Sequence, residues 1–171
     1  EQEMLELMNR ARINPAGEFD ALILDAATRT GVTADITLAL NTQTRVGNTI
    51  YTGFDVDMTM LRAQFDALTA APPLAWNGAL ADAAAAHTDL MILYDSQSHN
   101  LPGEPDLGTR IAAAGYTGGI QFSENIYAYA ADAIYGYAGF FIDWGVGPGN
   151  IQNPAGHRDT IMNPGLTEVG I

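Results

Sequence analysis

"NPAGHRDTIMNPGLTEVGI", Asn153 to Ile171, is the stretch whose reading decides the fold. Two Asn-Pro pairs, at 153–154 and 163–164, fence a short run that carries His157. A proline forbids helix on its N-terminal side and supplies no N–H, so the run between the pairs is held to a turn or two of helix. Beyond the second break, "TEVGI" has the composition of a strand. The chain has three histidines in 171 residues, and one of them sits in this fenced turn.

Working back from that turn, "GIQFSENIYAY" (119–129) has the β-branched and aromatic content of a strand, with Glu124 between Phe122 and Ile126. Ala130, Ile134, Tyr137 and Phe141 predict a helix finishing near Trp144, with Asp143 at its C-terminal end. Asn77 can cap a helix through Leu80, Ala83, Ala84, His87 and Met91, apolar on much of its circumference and therefore expected to be central and buried. A loop, "YDSQSHNLPGEPD", carries His99 and leads to a short helix around Thr109–Ala114, ended by Gly115. Nearer the start, Met4, Leu5, Met8 and Ala11 share one helical face over Glu3 to Ile13. A second helix is expected over Glu18–Ala27. Met58, Leu61, Phe65 and Leu68 mark another. Residues 28–57 show no clean period and read as a surface insertion, in which "ITLAL" could be strand or helix. Helices interleaved with strands predict an α+β fold, a sheet covered by helices, in a single domain over 1–171.

Twenty acidic residues face seven basic ones, all arginine, giving a formal charge of −13. Nucleic acid and anionic membranes would be repelled, and no apolar run is long enough to span a bilayer. The acidity reads first as a solvated surface. With no cysteine there is no disulfide, thiolate nucleophile or Cys-type zinc site. Glu1-Gln2-Glu3 reads as the start of a mature or trimmed protein, compatible with secretion.

Four polar residues interrupt structured segments: His99, Glu124, Asp143 and His157. A carboxylate in an apolar strand needs a partner or it neutralises. Imidazoles oriented by carboxylates form a plausible seat for a divalent metal. Beside these, Glu124 and His157 could simply tie strand to turn. His87 reads as a satisfied core histidine, Arg158 and Asp159 as a local ion pair, and Trp76 and Trp144 as packing anchors.

The combination of Ser98-His99, "SENI" (123–126) and "GHRDTIMNP…EVGI" (156–171) resembles the CAP superfamily of sperm-coating, cysteine-rich secretory, antigen-5 and pathogenesis-related-1 proteins. "LMNRARINPAGE" (7–18) and "PPLAWNGALADAAAAH" (72–87) resemble the start of its bacterial, cysteine-free branch. The resemblance implies a three-layer α-β-α sandwich and a cleft with two histidines and two acids. His99 and His157 match the histidines and Glu124 the first acid, although Ser123 replaces the usual glycine. Asp143 matches the second acid if Phe140 stands for the family's helix tryptophan. The family's sheet normally continues past "EVGI", which implies a truncated final strand or one module of a larger exported protein.

The function so implied is a secreted binding module whose cleft takes a divalent metal, zinc foremost, through His99 and His157. An unknown protein or a small apolar, lipid-like ligand would be its partner, with the aromatic stretch 127–141 a candidate groove. The alternative is a metal-dependent peptidase or esterase using Glu124, His99 and His157. Against that stand the absence of H-E-x-x-H and G-x-S-x-G, and only three serines, Ser96, Ser98 and Ser123. A calcium-dependent adhesion role, suggested by "DVD" at 55–57, lacks any EF-hand pattern.

Overall fold

A computed structural model of the chain describes residues 1–41, 53–119 and 121–171, together with the backbone of the strands at 44–46 and 49–51. The order is α1 (Gln2–Ile13), α2 (Gly17–Leu22), β1 (Ile23–Asp25), β2 (Thr30–Gly31), α3 (Ala34–Leu40), β3 (Thr44–Val46) and β4 (Thr49–Tyr51). Then follow α4 (Met58–Asp66), β5 (Ala75–Trp76), α5 (Gly78–Tyr94), α6 (Leu107–Ala113), α7 (Ala133–Ile142), α8 (Gly156–Met162) and β6 (Glu168–Val169). β1–β2 and β3–β4 are antiparallel pairs, and β5–β6 is parallel. The fold is thus α+β, dominated by helices with small sheets.

Caps set the starts of the helices. The Asn77 side chain accepts from the N–H groups of Ala79 and Leu80, and Asp57 accepts from Thr59 and Met60. Asp132 and Thr33 do the same for α7 and α3. The core joins Leu7, Met8 and Ala11 of α1, Leu61 and Phe65 of α4, and Tyr137, Phe141 and Ile142 of α7. α1 packs on both α7 and α8. Phe65 meets Phe141 edge-on at 4.9 Å, an arrangement favoured by the ring quadrupoles.

Arg12 lies inside this core with 0 % of its surface exposed. Its guanidinium donates to four carbonyls: Pro72 at 2.5 Å, Ile161 at 2.5 Å, Asn163 at 3.0 Å and Leu166 at 2.9 Å. A buried charge persists only when its donors are satisfied, and here the partners are backbone dipoles of three chain segments. One side chain therefore holds the approach to β5, the end of α8 and the approach to β6 against α1. Nearby, buried Glu18 of α2 accepts a bidentate pair from Arg10 of α1.

Several sequence expectations need correction. Residues 28–57 are not a surface insertion throughout: "ITLAL" is part of α3, whose Ile36, Ala39 and Leu40 are buried in the core together with Val56. The part of that expectation covering side chains 42–52 lies outside the described residues. Helix α2 stops at Leu22, because the chain turns through Asp25, whose carboxylate accepts from Ala27 and Thr28, into the β1–β2 pair. Helix α5 is apolar but not buried: only Ala83 and His87 of its residues are. "GIQFSENIYAY" forms no strand ladder among the described residues. Trp144 is a packing anchor, stacked on Phe54, whereas Trp76 is 41 % exposed. Arg158 makes no ion pair with Asp159; it is buried, donates to the Ile142 carbonyl and sits over the Phe65 ring.

Replacing Arg12 by Met is expected to lower unfolding stability by about 3 kcal/mol or more, since several buried carbonyls lose their donor. A urea titration followed by circular dichroism checks this; an unchanged midpoint would remove Arg12 from its role.

Candidate functional site

The four sequence-predicted residues form two histidine–acid pairs. In the first, His99 stands in the loop after α5, 52 % exposed, with Nδ1 2.8 Å from Glu124 Oε1. Arg110 of α6 grips the same carboxylate with both terminal nitrogens, at 2.9 Å to Oε2 and 3.2 Å to Oε1. Bidentate guanidinium–carboxylate bonds are strong and fix orientation. Burial alone would raise the affinity of Glu124 for a proton. The bonds from Arg110 and His99 outweigh it and hold this carboxyl below its usual range.

Behind this pair lies a layer that sequence reasoning passed over. His87 of α5 is buried, with Nδ1 2.8 Å from the buried Glu104 and Nε2 3.8 Å from Glu124 Oε1, too far for a hydrogen bond. Nε2 of His87 has no partner, so this histidine is core but only half satisfied. Arg110 Nε stands 3.4 Å from Glu104. His99, Glu124, Arg110, His87 and Glu104 thus form one continuous polar cluster running inward from the surface. A signal existed for Arg110: a lone cation in "DLGTRIAA", between apolar Leu107 and Ile111, demands acids nearby.

The second pair joins α7 to α8. Asp143 closes α7 in the left-handed conformation, at φ 58°, and is fully buried. Its carboxylate accepts from the backbone N–H of His157 at 3.0 Å and lies 2.8 Å from His157 Nδ1. A short side chain that tolerates positive φ suits this position. The His157 ring lies 5.3 Å from that of Phe140. The Asn-Pro breaks frame α8 so that its first turn carries His157 against Asp143.

"SENI" lies between the pairs. Glu124 reaches His99 and Arg110, whereas its neighbours turn the other way: Ser123 bonds Thr160 of α8 at 2.9 Å, and Asn125 donates to the His157 carbonyl at 3.0 Å. Alternate side chains on opposite sides are what an extended run produces. The structure therefore corrects the expected Glu124–His157 tie: His157 is held by Asp143, and Glu124 holds His99. No direct bond joins the pairs among the described residues, where no three His, Cys, Asp or Glu side chains gather to hold a metal ion. Ser98 bonds the Asn100 carbonyl, so neither it nor Ser123 meets a histidine. Asp57 is spent capping α4, and Asp55 pairs with Arg29 at 2.9 Å.

With this geometry in place, a family model described as the cysteine-rich secretory protein family, CAP, matches residues 5–171. The chain belongs to the CAP family. No curated protein and no solved structure matches it. Beside the "SENI" run of this CAP domain lies a cavity of about 350 Å³ lined by residues of α1, α5, α6 and α8, with Arg110 and Glu124 in its wall. No helix among the described residues is long and apolar enough to cross a membrane.

Because folding lowers the proton affinity of Glu124, its contribution is complete above its unfolded value of about 4.3 and fades as pH falls through the lower folded value. The stability gap between wild type and Glu124→Gln is expected to be about 1–3 kcal/mol above pH 5 and to close towards pH 3. Chemical denaturation across that range checks the sign. Asp143→Asn is expected to cost a similar 1–3 kcal/mol and to release the His157 ring, read from its imidazole nitrogen resonances.

Proposed function

We propose that this CAP domain is a secreted binding module that takes a divalent cation at its His–acid pairs. The observation that carries the reading is that both imidazoles are held through Nδ1 by carboxylates. With those acids ionised, Nδ1 must donate, which leaves the Nε2 lone pairs of His99 and His157 free to ligate. Carboxylate–histidine–metal is the arrangement by which proteins orient imidazole ligands. The donor type fits zinc; the donor number is low, so water would complete the shell and the affinity would be modest. Secretion is supported by the family and by the acidic surface.

In layers, the domain reads as the three-layer sandwich of the resemblance. On that reading α5 and α6, which touch each other, form one layer, β5, β6 and the "SENI" run the middle, and the mutually packed α1, α7 and α8 the other. A second binding place is the cavity in that middle layer. It is better suited to a partly apolar partner than the aromatic stretch 127–141, whose Tyr127, Tyr135, Tyr137, Phe140 and Phe141 rings pack on one another or on neighbouring rings. Binding is favoured over hydrolysis because Arg110 occupies both oxygens of Glu124 and holds its proton affinity low, making it a poor base towards water.

Calorimetric zinc titration is expected to give one event per chain. Its heat is expected to vanish in the His99→Ala, His157→Ala double variant, and the affinity to drop about tenfold in Asp143→Asn. Equal heats in wild type and the double variant would refute the cation reading. In zinc-supplemented peptidase and esterase assays, wild type and Glu124→Gln are expected to be indistinguishable.

A further inference from the structure

All three histidines of this chain are held alike: Nδ1 lies 2.8 Å from a carboxylate oxygen, of Glu104 at His87, of Glu124 at His99 and of Asp143 at His157. They differ in what Nε2 meets. The His99 ring is half exposed and the His157 ring partly so, whereas His87 is buried and its Nε2 has no hydrogen-bond partner. A leucine would fill the same place in α5 without that loss, so a buried imidazole with an idle nitrogen needs a reason. At 3.8 Å from that nitrogen stands Glu124 Oε1, the same oxygen that bonds His99 Nδ1.

The tautomer of His87 follows from the other side of its ring. The Glu104 side chain is buried; its Oε1 meets His87 Nδ1 and stands 3.4 Å from Arg110 Nε, and its Oε2 accepts from the Leu101 N–H at 3.4 Å. A carboxylate beside a guanidinium is an acceptor only, so Nδ1 carries the hydrogen and, in the neutral ring, Nε2 is left with a lone pair. Two lone pairs, on Nε2 and on Glu124 Oε1, then share the gap, and 3.8 Å is the spacing of groups that do not bond. Were the hydrogen on Nε2, a charged oxygen would be within its reach. A buried charge-assisted bond of about 2.8 Å would draw Oε1 inward, away from a His99 ring half in solvent. Instead Oε1 is left to His99 at 2.8 Å and Arg110 at 3.2 Å, with Oε2 on Arg110 at 2.9 Å.

We propose that His87 is a positioning residue for the His99 site: it holds Glu104 through Nδ1 and shows Glu124 a bare Nε2, so that Glu124 bonds His99 Nδ1 and the His99 nitrogen offered to a ligand is Nε2. Two contributions combine. Glu104, fixed by His87, stands beside Nε of Arg110, whose terminal nitrogens grip Glu124. The acceptor nitrogen of His87 meanwhile gives Glu124 no competing bond. The Asp143–His157 pair is secured differently, by the His157 backbone N–H on the same carboxylate, and so serves as an internal reference. The inference rests on the reading that His99 ligates a cation through Nε2, but its test reads the His99 ring directly and needs no metal.

The test compares His87→Asn with His87→Gln, since an asparagine nitrogen takes the place of imidazole Nδ1 and a glutamine nitrogen that of Nε2. Asparagine keeps a donor for Glu104 and sets none against Glu124; glutamine sets a donor against Glu124. The ring nitrogens of His99 and His157 are read from two-bond ¹H–¹⁵N spectra at about pH 9, where an ordinary histidine is neutral. Wild type and His87→Asn are expected to carry the His99 hydrogen on Nδ1. In His87→Gln most of it is expected to move to Nε2, with His157 unchanged in all three proteins. Glu104→Gln can turn a donor to His87 Nδ1 and so send that ring's hydrogen to Nε2; this second variant is expected to shift His99 in the same direction. Zinc is expected to bind His87→Gln about tenfold more weakly than wild type, and His87→Asn within about threefold of it. A wild-type His99 with its hydrogen already on Nε2, an unmoved hydrogen in both glutamine variants, the same change in His87→Asn as in His87→Gln, or an equal change at His157 would overturn the assignment. Absence of zinc heat in wild type would refute the cation reading and leave the His99 spectra to decide this one.

Discussion

The buried guanidinium of Arg12 is the constraint on which the remainder of this domain depends. Its donors hold the backbone before β5, the end of α8 and the approach to β6 to one point on α1. Those segments in turn set β6 beside β5 and the axis of α8, and so the place of His157. A charge in a core is expensive, and it is tolerated here because each terminal nitrogen and Nε finds a carbonyl. An apolar residue in its place would fill space but leave the three segments without a common anchor.

Cations are scarce in this protein, and three of them, Arg12, Arg110 and Arg158, are buried. Their roles differ. Arg12 gathers carbonyls, Arg110 braces Glu124 and Glu104, and Arg158 donates beneath α7 while facing the Phe65 ring. Acids are buried with them: Glu18 and Asp143 in the core and the Glu104 side chain beside Arg110.

Much of the helical framework was legible. Asn77 and Asp57 announce α5 and α4 because a short acceptor before an apolar run satisfies the first free N–H groups. The Asn-Pro fences of α8 and the Asp143 end of α7 were legible for equally local reasons. The resemblance brought forward His99, Glu124, Asp143 and His157, but which imidazole meets which acid was not in the pattern. Glu124 and His157 look like partners along the chain, and the alternation of "SENI" sends Glu124 to the opposite side. His87 reads as filler by its helix position, yet its ring lies between Glu104 and Glu124.

What the amino-acid order determined by itself is local: where helices begin and stop, which faces are apolar, and which few residues can carry a proton or a cation. These follow from caps, prolines and periodicity, which act over a handful of neighbours. Burial and partnership belonged to the tertiary structure alone. The apolar run of α5 stays half uncovered and the segment at 28–57 surrenders α3 to the core, because burial depends on what the remaining chain brings alongside. The two histidine–acid pairs exist for the same reason, being contacts between segments far apart in the chain, whose meeting is fixed only when the core closes on Arg12.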